Sequence, residues 1–258
     1  MTLSTTMAIK QSPMSESSIV RRIERVRHEI HRRETEVVGV ERLGASFVSV
    51  RVRAESLKQF VSLSFDDHVK LMLPDGAGGW LMRDYTPRSF DTARGELVIE
   101  FALHGSGPFS DWARQAQPGQ TLVVAGPRGS MIVPLDYDWH LLVGDDSAWP
   151  AIQRRLEELP ADARAEVLLL CAEPVTLPQR VPAGLGFSRV SDGDALLQAL
   201  RTRPWPAGEG FVWCAGEARL MTAARELLLG EKRHPKEAMK VAAYWKPGAA
   251  DFHERLEG

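Results

Sequence analysis

The 258-residue chain is short of cysteine and tyrosine and has no long apolar run. Its two cysteines, Cys171 and Cys214, each close an apolar stretch. They form neither a metal-ligand spacing nor a disulfide framework, so both are expected to be buried free thiols in a reducing compartment. No apolar stretch approaches the roughly 20 residues of a membrane span. The N-terminus lacks the apolar core of a secretory signal, and a cytoplasmic chain is expected. Neither sign of charge dominates. The formal net charge of −2 gives no general attraction to nucleic acid or to an anionic membrane. A G-x-S-x-G nucleophile turn is absent, which excludes that class of hydrolase. His28-Glu29-Ile30-His31 lacks the H-E-x-x-H spacing of a zinc site and reads as polar helix surface, so no metal ligands are expected.

What is present suffices for two modest cores. Residues 1–18 are rich in Ser, Thr and Met and are expected to be disordered. Ile19, Val20, Ile23, Val26 and Ile30 stand at helical spacing and predict a short amphipathic helix over 19–31. From about residue 33 to 135, short apolar runs alternate with turn signals. The runs are Glu36 to Glu41, Phe47 to Val52, His68 to Leu73, Leu97 to Leu103 and Thr121 to Val124. Strands at that spacing predict an antiparallel barrel, with a helix over Phe109 to Gln115. After Pro134 the period changes. Strands around Leu141 to Val143, Val167 to Cys171, Phe187 to Val190, Phe211 to Cys214 and Met239 to Trp245 alternate with amphipathic helices, the last stopped by Gly230. This predicts an α/β domain with an open, mostly parallel sheet. The expected domains are 19–135 and 136–258.

One segment concentrates chemistry. Arg83-Asp84-Tyr85-Thr86-Pro87-Arg88 packs two guanidiniums, a phenol and a hydroxyl into six residues. An extended strand turns Arg83 and Tyr85 to one side and Asp84, Thr86 and Arg88 to the other. An aromatic ring can lie against a planar ligand while an arginine fork grips a phosphate; a flavin dinucleotide makes both demands. The competing reading is a polar edge strand. Gly107-Pro108-Phe109-Ser110 opens a helix and offers a second phosphate grip.

In the α/β half, ligands bind beyond the carboxyl ends of the strands. Gly144-Asp145-Asp146-Ser147-Ala148 carries the first strand into its helix, although the full G-x-G-x-x-G pattern is missing. Ala215-Gly216-Glu217 ends the fourth strand, where small residues let a flat ring approach the backbone.

The chain resembles the siderophore-interacting proteins, flavin-dependent ferric-siderophore reductases of the ferredoxin-reductase-like superfamily. The resemblance runs from about Val37 to Phe252. It rests on His68-Val69-Lys70-Leu71, Arg83 to Arg88, His104-Gly105 with Gly107 to Ala113, and Gly126 to Ser130. Gly144 to Ala151, Trp213 to Glu217 and Tyr244 to Gly248 complete it. It implies FAD held by Arg83, Tyr85 and Thr86, with Thr86 near flavin N5, and phosphate contacts from Arg83 or Arg88. It implies a second FAD-binding stretch at His104, Gly107, Pro108, Ser110 and Trp112. The nicotinamide side would use Gly144, Asp145, Ser147, Ala148, Gly216 and Glu217, with Trp245 near the flavin. Trp149 before Pro150 and Ala243 before Tyr244 depart from the usual pattern.

The implied activity is electron transfer from NADPH or NADH through FAD to siderophore-bound ferric iron, in a monomer. Lys70, Arg128 and Lys246, from three separate motifs, are candidates to attract an anionic ferric siderophore. Glu173 would favour a free ribose hydroxyl and Arg180 a 2′-phosphate, which leaves the nucleotide open. The alternatives are an FAD protein exchanging electrons with a ferredoxin-like partner, and a non-enzymatic siderophore-binding protein.

Overall fold

The structure is a computed structural model that describes residues 23–103 and 107–249, and the backbone of residues 254–255. The expectations for residues 1–18 and for His104 lie outside the described residues.

The predicted N-terminal helix is not formed where it is described. Glu24–Arg27 is a strand, β1, paired antiparallel with Gly129–Ile132. Apolar spacing at Ile23 and Val26 is compatible with either state, and the edge offered by Gly129–Ile132 decides between them, since tertiary pairing overrides weak local preference. A Cβ on Gly129 would meet the Val26 carbonyl oxygen at 2.5 Å, so the close approach depends on glycine.

Seven strands then form one antiparallel sheet. They are β2 (Arg32–Leu43), β3 (Phe47–Arg53), β4 (Val69–Pro74), β5 (Trp80–Tyr85), β6 (Pro87–Asp91), β7 (Glu96–Ala102) and β8 (Thr121–Ala125). Their order is β5-β4-β8-β2-β3-β7-β6. Helix α1 (Pro108–Gln115) precedes β8, and β9 (Gly129–Ile132) follows it. The segment expected to be one strand from Arg83 to Arg88 breaks at Thr86. On one side β5 pairs with β4, and on the other β6 pairs with β7. The two edges of the curled half-barrel are thus joined by a single residue. Pro87 suits the switch, because it has no N–H to donate to a ladder. Alternation fills the interior: Val48, Val50 and Val52 point inward from β3 and pack with Leu71, Ile99, Phe101 and Leu122. Each such buried side chain contributes about 1.5–3 kcal/mol of transfer free energy.

The second half contains β10 (Trp139–Asp145), α2 (Trp149–Glu158), β11 (Arg164–Leu170), β12 (Gly184–Val190) and α3 (Gly193–Thr202). It continues with β13 (Gly210–Glu217), α4 (Ala218–Glu226), β14 (Met239–Trp245) and the two-residue β15 (Glu254–Arg255). The order is β12-β11-β10-β13-β14-β15. The first five strands are parallel and β15 is antiparallel to β14. β10 and β13 are buried almost throughout, as strands covered by helices on both faces must be. Strand order reverses between β10 and β13, which makes their carboxyl ends the expected ligand position. Beyond α4 the helical path runs through Gly230 to Glu231 as a π-helical turn, so Gly230 does not stop it.

The two domains share a core in which Phe47, Phe65 and Met131 pack with Leu142, Ile152 and Trp213. Trp149 belongs to this core, edge-on to Phe187 at 6.0 Å. Arginines of α2 tie the domains. Arg155 donates to the carbonyl oxygens of Val133 and Pro134 at 3.3 and 2.8 Å. Arg154 donates to Ser62 and to the Pro87 carbonyl. Both cysteines are buried free thiols.

Candidate functional site

A cleft opens between the half-barrel and the carboxyl end of the parallel sheet. The half-barrel supplies His68, Arg83, Asp84, Tyr85, Thr86, Glu100, Ala102 and Ser110 to its walls; the sheet supplies Ser147, Pro150 and Tyr244.

The barrel wall is built by the strand that changes partner. Arg83, two residues before the end of β5, is half-buried and lines the cleft. The Tyr85 ring rests on Phe101 and Phe109, at centroid distances of 4.6 and 5.8 Å. Burial pushes its hydroxyl far above the ordinary range, against the pull of Arg83, so it stays neutral. Thr86 is buried at the seam. Ser110 lies in the first turn of α1 and donates weakly to the Ala102 carbonyl at 3.5 Å. Gly107 caps that helix with no side-chain acceptor and Pro108 opens it, which leaves backbone N–H groups for a ligand. Glu100 closes the floor. Burial raises its carboxyl, and Arg88 pulls it back.

Arg88 is not at the cleft. It donates to both oxygens of Glu157 at 2.7 and 2.9 Å and lies 3.5 Å from Glu100. Of the two arginines left open for phosphate, Arg83 is the one that lines the pocket. Trp112 packs on Phe101 at 5.6 Å, on the barrel core.

The sheet wall is organised by Asp145, which is buried at the end of β10. One carboxylate oxygen accepts from the backbone N–H and the hydroxyl of Ser147. The other accepts from the Glu217 N–H and from the Trp245 indole, both at 2.8 Å. Asp145 is therefore a structural knot. Gly216, at φ +155°, would place a Cβ 2.6 Å from this carboxylate. Gly144 would place one 2.4 Å from Ala148 Cβ and 2.7 Å from the Ala215 carbonyl. Glu217 caps α4 by accepting from the Leu220 N–H at 2.9 Å. Asp146, next to this knot, has its carboxyl pushed up to about 6 by burial and then by Asp145.

Two family models match the chain. The one described as siderophore-interacting FAD-binding domain covers residues 78–131, and the one described as siderophore-interacting protein covers 137–248. An NADPH-dependent ferric-chelate reductase of Escherichia coli is 36% identical over 245 residues, 86% of this chain and 96% of that protein. The ferric vibriobactin reductase of Vibrio cholerae is 29% identical, covering 81% of this chain and 88% of that protein. A siderophore utilization protein from T. fusca superposes with a TM-score of 0.81 at 32% identity, covering 92% of this chain and 98% of that one. The chain belongs to the siderophore-interacting protein family.

In this family member the cationic candidates are only partly gathered. Lys70 lies on β4, paired with Asp84 at 2.9 Å on the cleft side. Its neighbour across the sheet is Ala125, three residues before the exposed Arg128. A Cβ on Gly126 would lie 3.9 Å from the His68 carbonyl, so His68, Lys70 and the Arg128 loop share one end of the half-barrel. Lys246 is exposed beyond β14. Glu173 and Arg180 are both exposed beyond β11.

The resemblance implied Trp245 near the flavin and assigned no role to Tyr244. The structure turns Tyr244 into the cleft and Trp245 onto Asp145, because neighbouring residues of a strand face opposite ways. Sequence reasoning passed over Glu100 and Asp66. A glutamate in an apolar strand, in Ile99-Glu100-Phe101, and an acidic pair after Ser62 and Ser64 were the available signals. His28 bonds Ser130 at 2.8 Å from beside β1 rather than from a helix.

Proposed function

We propose that this protein is a ferric-siderophore reductase that binds FAD in the interdomain cleft and passes electrons from NADPH to siderophore-bound Fe(III). The carrying observation is a single cleft with a phosphate-type donor set on the barrel wall and the carboxyl ends of a doubly wound sheet on the other. The residues present fit FAD. Arg83, Ser110 and the uncapped start of α1 offer donors to a diphosphate, and Tyr85 offers an apolar face held by two phenylalanines. When bound, FAD accepts two electrons as hydride and releases them singly, as ferric iron requires.

The chain's own work is to hold and orient. Arg83 grips charge, the neutral Tyr85 supports the ring, and Thr86 is the candidate for a hydrogen bond at flavin N5. Asp145 fixes Ser147, Glu217 and Trp245 as one frame, so the nicotinamide side meets preset backbone. Lys70 and Arg128 at the barrel end, with Lys246, would draw in an anionic ferric siderophore, whose hard oxygen ligands bind Fe(II) less well. We infer a monomer acting in the cytoplasm, where reduced nucleotide is available.

A second reading, electrons from a ferredoxin-like partner, is favoured by one feature. Asp145, Asp146 and Glu217 crowd the sheet wall and give a nucleotide phosphate little attraction. Absorbance of the purified protein with added FAD, followed by anaerobic NADPH titration, decides. Flavin bands that bleach on NADPH support the proposal. A protein that takes up no FAD overturns it, and bound flavin that NADPH leaves oxidised moves the donor to the protein partner.

A further inference from the structure

Asp66 lies in the loop before β4, on the half-barrel side, with its side chain 1% exposed. Its three donors all come from the other domain. Trp213 of β13 donates its indole N–H at 2.9 Å, Lys240 of β14 forms an ion pair with the second oxygen, and the Tyr244 hydroxyl lies 3.4 Å away. Trp213 and Lys240 are register neighbours across β13 and β14, so one carboxylate gathers two adjacent strands. Tyr244 also exchanges a hydrogen bond with Thr86. Both residues line the cleft. A continuous path of contacts thus runs from the buried ion pair through Tyr244 to the residue at the half-barrel seam.

We propose that the Asp66–Lys240 pair is a charge-balanced support beneath the cleft that positions Tyr244 and sets the relative affinity for oxidised and reduced flavin.

Three observations carry this. First, Lys240 is mostly buried, and a lysine with that much of its surface removed from water is unusual unless something needs its charge. Second, the pair lies one residue behind the cleft wall, where the low dielectric lets a unit charge act at a distance. Third, reduction of a flavin to its anionic form adds negative charge, so the sign of any unbalanced neighbour decides which form is favoured. The Tyr244 hydroxyl is pushed well above its ordinary value, first by burial and then by Asp66. It therefore remains a neutral donor between the pair and the cleft, with Asp145 a second, weaker negative neighbour. Asp66 and Lys240 are positioning residues; neither lines the cleft.

The inference rests on the flavin ring lying against Thr86 and Tyr244. The test is spectroelectrochemical titration of FAD-loaded Asp66→Asn, Lys240→Met and the double variant, with FAD affinity measured by fluorescence quenching. Asp66→Asn keeps an acceptor for Trp213 and Tyr244 but leaves an unbalanced cation, and should raise the flavin potential. Lys240→Met leaves an unbalanced anion and should lower it. Each shift should correspond to on the order of a tenfold change in the ratio of affinities for the two flavin forms, and the double variant should return toward wild type. A merely structural pair would lower thermal stability without opposite potential shifts; shifts of one sign, or none, overturn the proposal. If Asp66→Asn does not fold, Lys240→Met decides against Lys240→Arg, which should restore the wild-type potential. Tyr85→Ala separates the two levels of inference. If it weakens FAD binding while the Asp66 and Lys240 variants leave the potential fixed, the charge-balance proposal alone fails. If it leaves FAD binding unchanged, the flavin does not lie in this cleft and both fail.

Discussion

The two walls of the cleft solve opposite problems. The barrel wall presents Arg83 and the uncapped start of α1, with Ser110 held only weakly by the Ala102 carbonyl, as donors to an acceptor from outside the chain. The sheet wall presents carboxylates, and its central one is already satisfied: Asp145 accepts from Ser147, Glu217 and Trp245. A wall with donors to spare can retain an anionic cofactor. A wall that is acidic and whose central carboxylate is committed internally gives a visiting anionic ligand shape more than attraction. The difference teaches that flavin should be held firmly and nicotinamide should come and go.

The sharpest way to break this comparison is at Asp145. Asp145→Ala strands four donors on three residues, and orphaned buried donors cost about 1–3 kcal/mol each. A loss of about 3 kcal/mol is expected in denaturant titration, with the Michaelis constant for NADPH raised and FAD affinity of the folded protein nearly unchanged. Equal losses of FAD and NADPH binding would mean that the walls do not act separately. Next in size is Arg83→Ala, which removes a charge-assisted contact worth about 2 kcal/mol. FAD should bind roughly 10- to 100-fold more weakly by fluorescence titration, while NADPH-side behaviour of the loaded protein is retained.

Asp146 gives a smaller, pH-dependent test. Its folded-state pKa, pushed up to about 6, lies above the ordinary 3.8. The carboxyl therefore opposes folding progressively as pH rises from about 4 to 6, and fully above that. Because the group is partly exposed, the effect is discounted for solvent screening to about 1 kcal/mol. Asp146→Asn should be more stable than the parent at pH 8 by about that amount, and the gain should vanish near pH 4. A gain independent of pH would place its cause elsewhere. Smallest is Lys70→Ala. The lysine is nearly half exposed and already paired with Asp84, so a few-fold rise in the Michaelis constant for an anionic ferric siderophore is expected, fading with added salt.

The half-barrel and the parallel sheet were legible because their signals are local. Val48, Val50 and Val52 alternate, Leu141 to Val143 run apolar, and the turn glycines separate them. What escaped was decided by pairing at a distance. β1 reads as helix until Gly129–Ile132 offers it an edge. The break at Thr86 follows from β5 and β6 taking different neighbours, which no window of sequence contains. The same holds in the cleft. Arg83, Tyr85 and Thr86 could be chosen from side-chain chemistry, but whether Arg83 or Arg88 stays available depends on Glu157, 69 residues beyond Arg88. Tyr244 lines the cleft while Trp245 donates to Asp145, because only the fold says which face of β14 looks into the cleft.

The central claim is that electrons leave the cleft for siderophore-bound ferric iron. The most direct measurement is an anaerobic half-reaction: FAD-loaded protein, reduced with a stoichiometric donor, is mixed with a ferric siderophore and a ferrous-specific chelator. The account predicts return of the oxidised flavin bands with two ferrous ions trapped per flavin. Flavin that stays reduced while the ferric siderophore remains intact would contradict it.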